Sequence, residues 1–299
     1  MEVLASLSSA ISGIVERVGP SVVRVEARHR LPASGIVWSA DGLIVTADHA
    51  VERDEHIRIG LANGEMVAAT MIGRDPTTDI AVLRTETRGL TPPAWTEPAG
   101  ARVGHLVVSL GRPGRTIRAT LGMISAVADN WRAPSGAQIE RYIQTDAGLA
   151  RGFSGGPLVD SAGNVVGMNT SGLLRWAALA VPVPTLRRVV DALVAHGRIR
   201  RGYVGIGAQP VRLPPGLRAQ LGQEAGLLLV SVEPQSPAER GGLLLGDVLL
   251  SLGSVEVHHL DDLMGLLTAD RIGTTVPAHI LRGGAVQDLA VEIGERRSP

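Results

Sequence analysis

Cysteine is absent from this 299-residue chain, so disulfides, thiolate catalysis and Cys-ligated metal are excluded. Aromatic residues are scarce: four Trp, two Tyr and one Phe. Any core must therefore be built from Val, Leu, Ile and Ala. An excess of one charge is lacking too, since 29 Lys and Arg balance 29 Asp and Glu. No global field then favours nucleic acid or an anionic membrane as partner. Met1 to Val18 has neither the basic n-region nor the continuous apolar stretch of a signal peptide. No run approaches the ~20 apolar residues of a membrane span. The expectation is a soluble chain without an export signal, needing no metal or organic cofactor. Its length accommodates about two domains with ample core.

What is present is punctuation. Gly152-Phe153-Ser154-Gly155-Gly156-Pro157 sets a serine among three glycines, ahead of the apolar Leu158-Val159. Glycines crowd where the backbone needs unusual φ or must come close to another group. A serine on such a turn can present its hydroxyl while neighbouring N–H groups point into the space beside it, as a nucleophile with an oxyanion hole requires. An ordinary glycine-rich turn is the alternative at this point.

Leu4, Leu7, Ile11, Ile14 and Val15 repeat at helical spacing before Gly19-Pro20 and predict an amphipathic N-terminal helix within residues 1–19. From residue 20 onward come short β-rich segments, about 8–12 residues apart and separated by turns such as Ala62-Asn63-Gly64. Such a series with few helices indicates an all-β barrel or sandwich. Thr185–His196, with Leu186, Val189, Val190 and Leu193, reads as the helix that closes this first domain at residue 196. Residues 197–201 form a basic connector, expected to be a solvated hinge. Residues 202–296 interleave strands with two helices, at Ala238–Gly241 and Leu260–Thr268, which suggests a compact α+β module.

A serine hydroxyl needs a base, and the base an orienting carboxylate. His49, in Thr46-Ala47-Asp48-His49-Ala50-Val51, lies where a β-run ends in a turn. Asp79, in Thr77-Thr78-Asp79-Ile80-Ala81-Val82-Leu83, stands at the mouth of an apolar strand. Alone, one reads as a strand-end polar residue and the other as a turn residue. The order His49, Asp79, Ser154 within one β-rich domain is that of chymotrypsin-like proteases.

Thr46–Val51 and Gly152–Pro157 resemble the histidine and serine motifs of that fold. Gly19-Pro20-Ser21-Val22-Val23, Thr78–Leu83 and Gln144-Thr145-Asp146-Ala147 resemble more closely the HtrA/Deg family of stress-response serine proteases, over Val15 to about Arg296. The resemblance implies a chymotrypsin-like double β-barrel followed by a PDZ domain. It implies Ser154 as nucleophile, His49 as general base and then acid, and Asp79 as the residue that fixes the imidazole tautomer. Gly152 and Ser154 would supply the oxyanion N–H groups, and Gly148 the base of an uncharged specificity pocket suited to apolar P1 residues. Tyr203-Val204-Gly205-Ile206 resembles the PDZ carboxylate-binding loop, and Ser236–Leu243 with Gly246-Asp247-Val248 its framework turn. Implied partners are unfolded proteins, C-terminal peptides captured by β-augmentation, and two further copies of the chain in a homotrimer. Family members are often exported, which leaves cytoplasmic and cell-envelope residence both open.

The chain departs from the family at three places. Phe153 replaces a small polar residue beside the serine, and would either pack into the barrel or loosen the oxyanion loop. Asp48 stands where Asn or Ala is usual; a carboxylate near the imidazole would favour its charged form. The loop after Thr170 is short, with Leu173-Leu174-Arg175-Trp176. Two other functions compete. An α/β-hydrolase esterase shares Gly-x-Ser-x-Gly but needs a strand–elbow–helix context, with acid and histidine after the serine. A non-catalytic peptide-binding scaffold would use the PDZ module alone.

Overall fold

A computed structural model describes residues 2–29, 31–97, 100–174 and 176–296. The chain divides into two compact units, Met1–Ile199 and Arg200–Pro299. The first opens with helix α1 (Glu2–Val18) and then forms six strands: β1 (Val22–Glu26), β2 (Ala33–Val37), β3 (Leu43–Thr46), β4 (Ile57–Gly60), β5 (Met66–Asp75) and β6 (Ile80–Thr85). They close into an antiparallel barrel of order β1-β2-β3-β6-β5-β4. A second closed barrel follows, from β7 (Leu106–Gly111), β8 (Arg118–Arg132), β9 (Gln138–Thr145), β10 (Pro157–Asp160), β11 (Val165–Thr170) and β12 (Ala178–Pro182), in the order β10-β11-β12-β9-β8-β7. Helix α2 (Val183–His196) comes next.

The period of two along each strand explains how so few aromatics suffice. On β3, Ile44 faces the interior of the first barrel with Val23, Val25, Ile59 and Leu83, while Val45 faces a larger cluster with Val22 and Val82. That larger cluster also takes Val108, Leu110, Val159, Met168 and Val181 of the second barrel and Leu186, Val189, Val190 and Leu193 of α2. Both faces of β2 and β3 are buried, so these strands read as near-continuous apolar runs. At about 25 cal/mol per Å² of apolar area, branched aliphatics on two faces supply the hydrophobic term that rings would otherwise carry. Two aromatic pairs supplement them, Trp38 with Trp95 and Trp131 with Tyr142, at centroid distances of 4.7 and 5.0 Å. Helix α2 stops at Gly197, whose φ of 70° permits the left-handed cap that returns its N–H to Leu193 O.

The second unit holds a sheet of β14 (Ile206–Arg212), β15 (Ala225–Val232), β16 (Val248–Leu252), β18 (Thr275–Arg282) and β19 (Ala285–Glu292), in that order, with β17 (Val255–Glu256) beside β16. A short pair, β13 (Gly202–Tyr203) with β20 (Gly294–Glu295), ties its two ends. Helices α3 (Pro215–Leu221), α4 (Pro237–Arg240) and α5 (Leu260–Leu266) complete it. Helix α3 is not expected from its Pro214-Pro215 start. Proline at the first helical position costs nothing, because that N–H has no helical partner. Tyr203–Ile206, read from its resemblance as a loop, spans two strand ends, with Val204-Gly205 outside either strand. Asp247 fixes the framework turn: it accepts from Arg282 Nε and Nη2 at 2.7 Å and from Leu244 N at 2.8 Å.

Candidate active site

The turn after β3 carries His49 within a single 3-10 turn, Asp48–Ala50. Asp79 precedes β6 with φ of 58°, a left-handed conformation that Asp tolerates better than most residues. This backbone bend lets one carboxylate serve His49 twice. Its Oδ1 accepts from the His49 backbone N–H at 2.9 Å, and both oxygens lie 2.9 Å from His49 Nδ1. The side chain of Asp79 is buried while that of His49 is about one-third exposed, so the imidazole edge opposite Asp79 remains open to a substrate.

The segment Thr170-Ser171-Gly172, which begins at the last residue of β11, touches all three candidate catalytic residues. Thr170 Oγ1 donates to Asp79 Oδ2 and accepts from Gly172 N. Ser171 Oγ lies 3.2 Å from Ser154 Oγ. Gly172 lies so close that an added Cβ would sit 2.7 Å from both Asp79 Oδ2 and His49 Nδ1. Among the described residues, Ser154 Oγ bonds with Ser171 and no hydrogen bond joins it to His49. Ser154 itself is buried.

The loop before Ser154 is held by its backbone. Phe153 N donates to Ala150 O at 3.0 Å and Gly156 N to Phe153 O at 2.9 Å. Gly152 and Gly155 have φ of 88° and 85°. A Cβ on Gly155 would strike Ser34 O and Thr46 Oγ1, so the first barrel sets how near this turn can come. Among the described residues, the N–H groups of Gly152 and Ser154 donate to no protein acceptor. Phe153 packs inward, 1% exposed against Gly111, which settles its direction. Gly148 is exposed; its carbonyl accepts from Thr120 Oγ1, and a Cβ there would meet nothing within 4 Å. Of the short loop after Thr170, Leu173 packs on the large core and Trp176 is exposed, while Arg175 lies outside the described residues.

The expectation for Asp48 is corrected. Its carboxylate pairs with Arg74 at 2.5 Å rather than with the imidazole, and Arg74 also donates to Asp48 O at 3.2 Å and Val51 O at 2.7 Å. Arg74 thereby pins the 3-10 turn that bears His49. Burial pushes the Asp48 carboxyl above the usual range, and Arg74 opposes that shift only in part. Sequence reasoning also missed Thr170 and Arg74. The two hydroxyl residues before Gly172 at a strand end are the one local signal for the first, and nothing local marks the second.

In the second unit, Val204 O accepts from Ala238 N and Gly205 O from Glu233 N, each at 2.8 Å. Gly205 has φ of 84°, and a Cβ on it would strike Ser236 Cβ. The Tyr203 hydroxyl donates to Glu233, which raises its pKa. β14, continuous with this loop, is an edge strand of the sheet. Among the described residues no group of His, Asp or Glu is placed to hold a metal, and no helix is long and apolar enough to cross a membrane.

Two closed six-stranded barrels followed by a PDZ sheet define a trypsin-like peptidase fold with an appended PDZ domain. Residues 33–168 match the model of the trypsin-like peptidase domain, and residues 202–293 that of the PDZ domain. The serine endoprotease DegS of Haemophilus influenzae is 31% identical over 272 residues, covering 88% of this chain and 76% of that protein. A probable periplasmic serine endoprotease, DegP-like, of Chlamydia muridarum is 32% identical over 276 residues, 90% of this chain but 55% of that protein. The chain thus spans about half the length of the DegP-like relative. A solved HtrA-type protease, AlgW with a tripeptide, superposes with a TM-score of 0.77 at 32% identity, over 96% of this chain and 98% of the other. The chain belongs to the HtrA/Deg family.

Proposed function

We propose that the protein is a serine endopeptidase that degrades unfolded or misfolded proteins, with its PDZ domain binding substrate or regulatory C-termini. One observation carries this reading: Thr170-Ser171-Gly172 touches Asp79, Ser154 and His49 together. Asp79 would keep the Nδ1 proton on His49, leaving Nε2 free as base. Rotation of Ser154 about χ1 from Ser171 towards Nε2 would complete the nucleophile. Oγ then attacks the scissile carbonyl, His49 takes its proton and later gives it to the leaving amine, and water repeats the cycle on the acyl-enzyme. The unengaged N–H groups of Gly152 and Ser154 would hold the oxyanion. The uncharged Gly148 supports apolar rather than basic P1 residues.

In the second domain, the loop Tyr203–Ile206 would receive a terminal carboxylate and β14 would pair with the peptide. The exposed Val3, Leu4 and Leu7 of α1 support self-association into a trimer, which light scattering reads directly. Relatives named periplasmic support residence in the cell envelope. The deciding experiment is casein hydrolysis by the wild type and by Ser154→Ala. Loss of activity on the order of 10⁶-fold is expected. Equal rates would refute the reading and favour a binding scaffold.

A further inference from the structure

The N–H of Ser154, one of the two candidate oxyanion donors, lies in the peptide plane between Phe153 and Ser154. The carbonyls of the planes on either side belong to Gly152 and Ser154. Both end on Ser34 of β2, in the other barrel: Ser34 Oγ donates to Gly152 O at 2.6 Å, and Ser34 N donates to Ser154 O at 3.2 Å. Proton counting fixes the direction of the hydroxyl bond. Ser34 Oγ accepts the Arg112 backbone N–H at 2.7 Å, so its single proton is left for Gly152.

Ser34 has little freedom to do anything else. It is fully buried, and its own carbonyl accepts from Thr46 Oγ1 at 2.7 Å. Arg112, which orients the hydroxyl, is equally fixed: its guanidinium donates to Val22 O, Gly19 O and Arg115 O at 2.7 to 3.0 Å. A chain of hydrogen bonds therefore runs from the end of the N-terminal helix, through Arg112 and Ser34, to the loop bearing the nucleophile.

We infer that Ser34 is the positioning residue of the oxyanion hole. Gripping the loop on both sides of the Ser154 N–H, it holds that donor aimed outward before substrate arrives, so that no reorganisation is needed as charge develops. This assignment rests on the serine-peptidase reading. Removing the hydroxyl leaves the Gly152 carbonyl and the Arg112 N–H buried without their partner, and both regain one only if the loop moves.

The test uses the full chain with Ser34→Ala and, as a near-isosteric control, Ser34→Cys, alongside wild type and Ser154→Ala. Expected for Ser34→Ala is a kcat lowered about tenfold or more with KM within about twofold, measured well below a melting temperature that falls by only a few degrees. A peptidyl trifluoromethyl ketone, whose adduct carries the oxyanion, should weaken in parallel with kcat/KM. Ser34→Cys should fall between the two and decides the matter where Ser34→Ala does not fold. An unchanged kcat in either folded variant, or a loss that merely tracks the fraction folded, overturns the inference while leaving the peptidase reading intact. Inactivity of the wild type itself would instead sink that reading.

Discussion

Replacing Arg74 by Met tests whether the turn that carries His49 is held electrostatically. Arg74 satisfies the Asp48 carboxylate and two backbone carbonyls, Asp48 O and Val51 O, and Asp48 is only 8% exposed. Removing one partner of a buried ion pair costs about 3–5 kcal/mol. The Arg74 side chain is 34% exposed, so solvent repays part of that and about 2–3 kcal/mol remains. For a unit of this size the loss lowers Tm by about 8 °C, and kcat should fall with it as His49 loses its fixed turn. The pH dependence carries the sign. Burial raises the folded-state pKa of Asp48 above its unfolded value of ~3.9. Below that unfolded value the carboxyl is neutral in both states and the penalty vanishes; as pH rises through the folded value the penalty grows to its full size. The Tm deficit of Arg74→Met should thus be smaller at pH 4.5 than at pH 7.5, and Arg74→Met with Asp48→Asn should recover much of it. Thermal melts of the wild type, Arg74→Met, Asp48→Asn and the double variant at both pH values check this. A deficit independent of pH, or no recovery in the double variant, refutes the reasoning.

Three further outcomes follow from the same geometry. Gly172→Ala drives a methyl against Asp79 and His49, so hydrolysis should collapse while peptide binding to the PDZ domain, read by fluorescence anisotropy of a labelled peptide, stays unchanged. Gly205→Ala places a side chain on a left-handed backbone and against Ser236; that same anisotropy should show binding lost, with hydrolysis of a short peptide substrate retained. Burial opposes ionisation of Asp247, but Arg282 and the Leu244 N–H outweigh it and hold its pKa below the usual range. That stability is present above the unfolded pKa near ~4 and is lost as pH falls through the folded value. Amide exchange across residues 225–252 should accelerate in this acid range, and much less so in Asp247→Asn, whose exchange is already fast at neutral pH.

Legibility in the sequence followed chain locality. The strands of both barrels stand out because turns such as Ala62-Asn63-Gly64 interrupt apolar runs. Asp79 and Ser154 announce themselves through short motifs. What the sequence hides is direction. Asp48 is adjacent to His49 in the chain, yet the 3-10 turn sends its carboxylate to Arg74, 26 residues later. Ser34 sits on a strand buried on both faces, where no alternation separates a structural from a functional hydroxyl. Thr170 reaches Asp79 across 91 residues, a distance no local pattern spans. The break at Val204-Gly205 shows only through the resemblance to a carboxylate-binding loop, since Tyr203-Val204-Gly205-Ile206 by composition alone reads as a strand.

The chain contains one phenylalanine, and it is Phe153, buried beneath the candidate nucleophile. Biosynthetic incorporation of a fluorinated phenylalanine therefore labels a single position, with no mutation and no assignment problem. One ¹⁹F resonance would report on the loop that carries the catalytic serine. Its splitting or broadening on addition of a C-terminal peptide would count the conformers of that loop directly, in the intact protein.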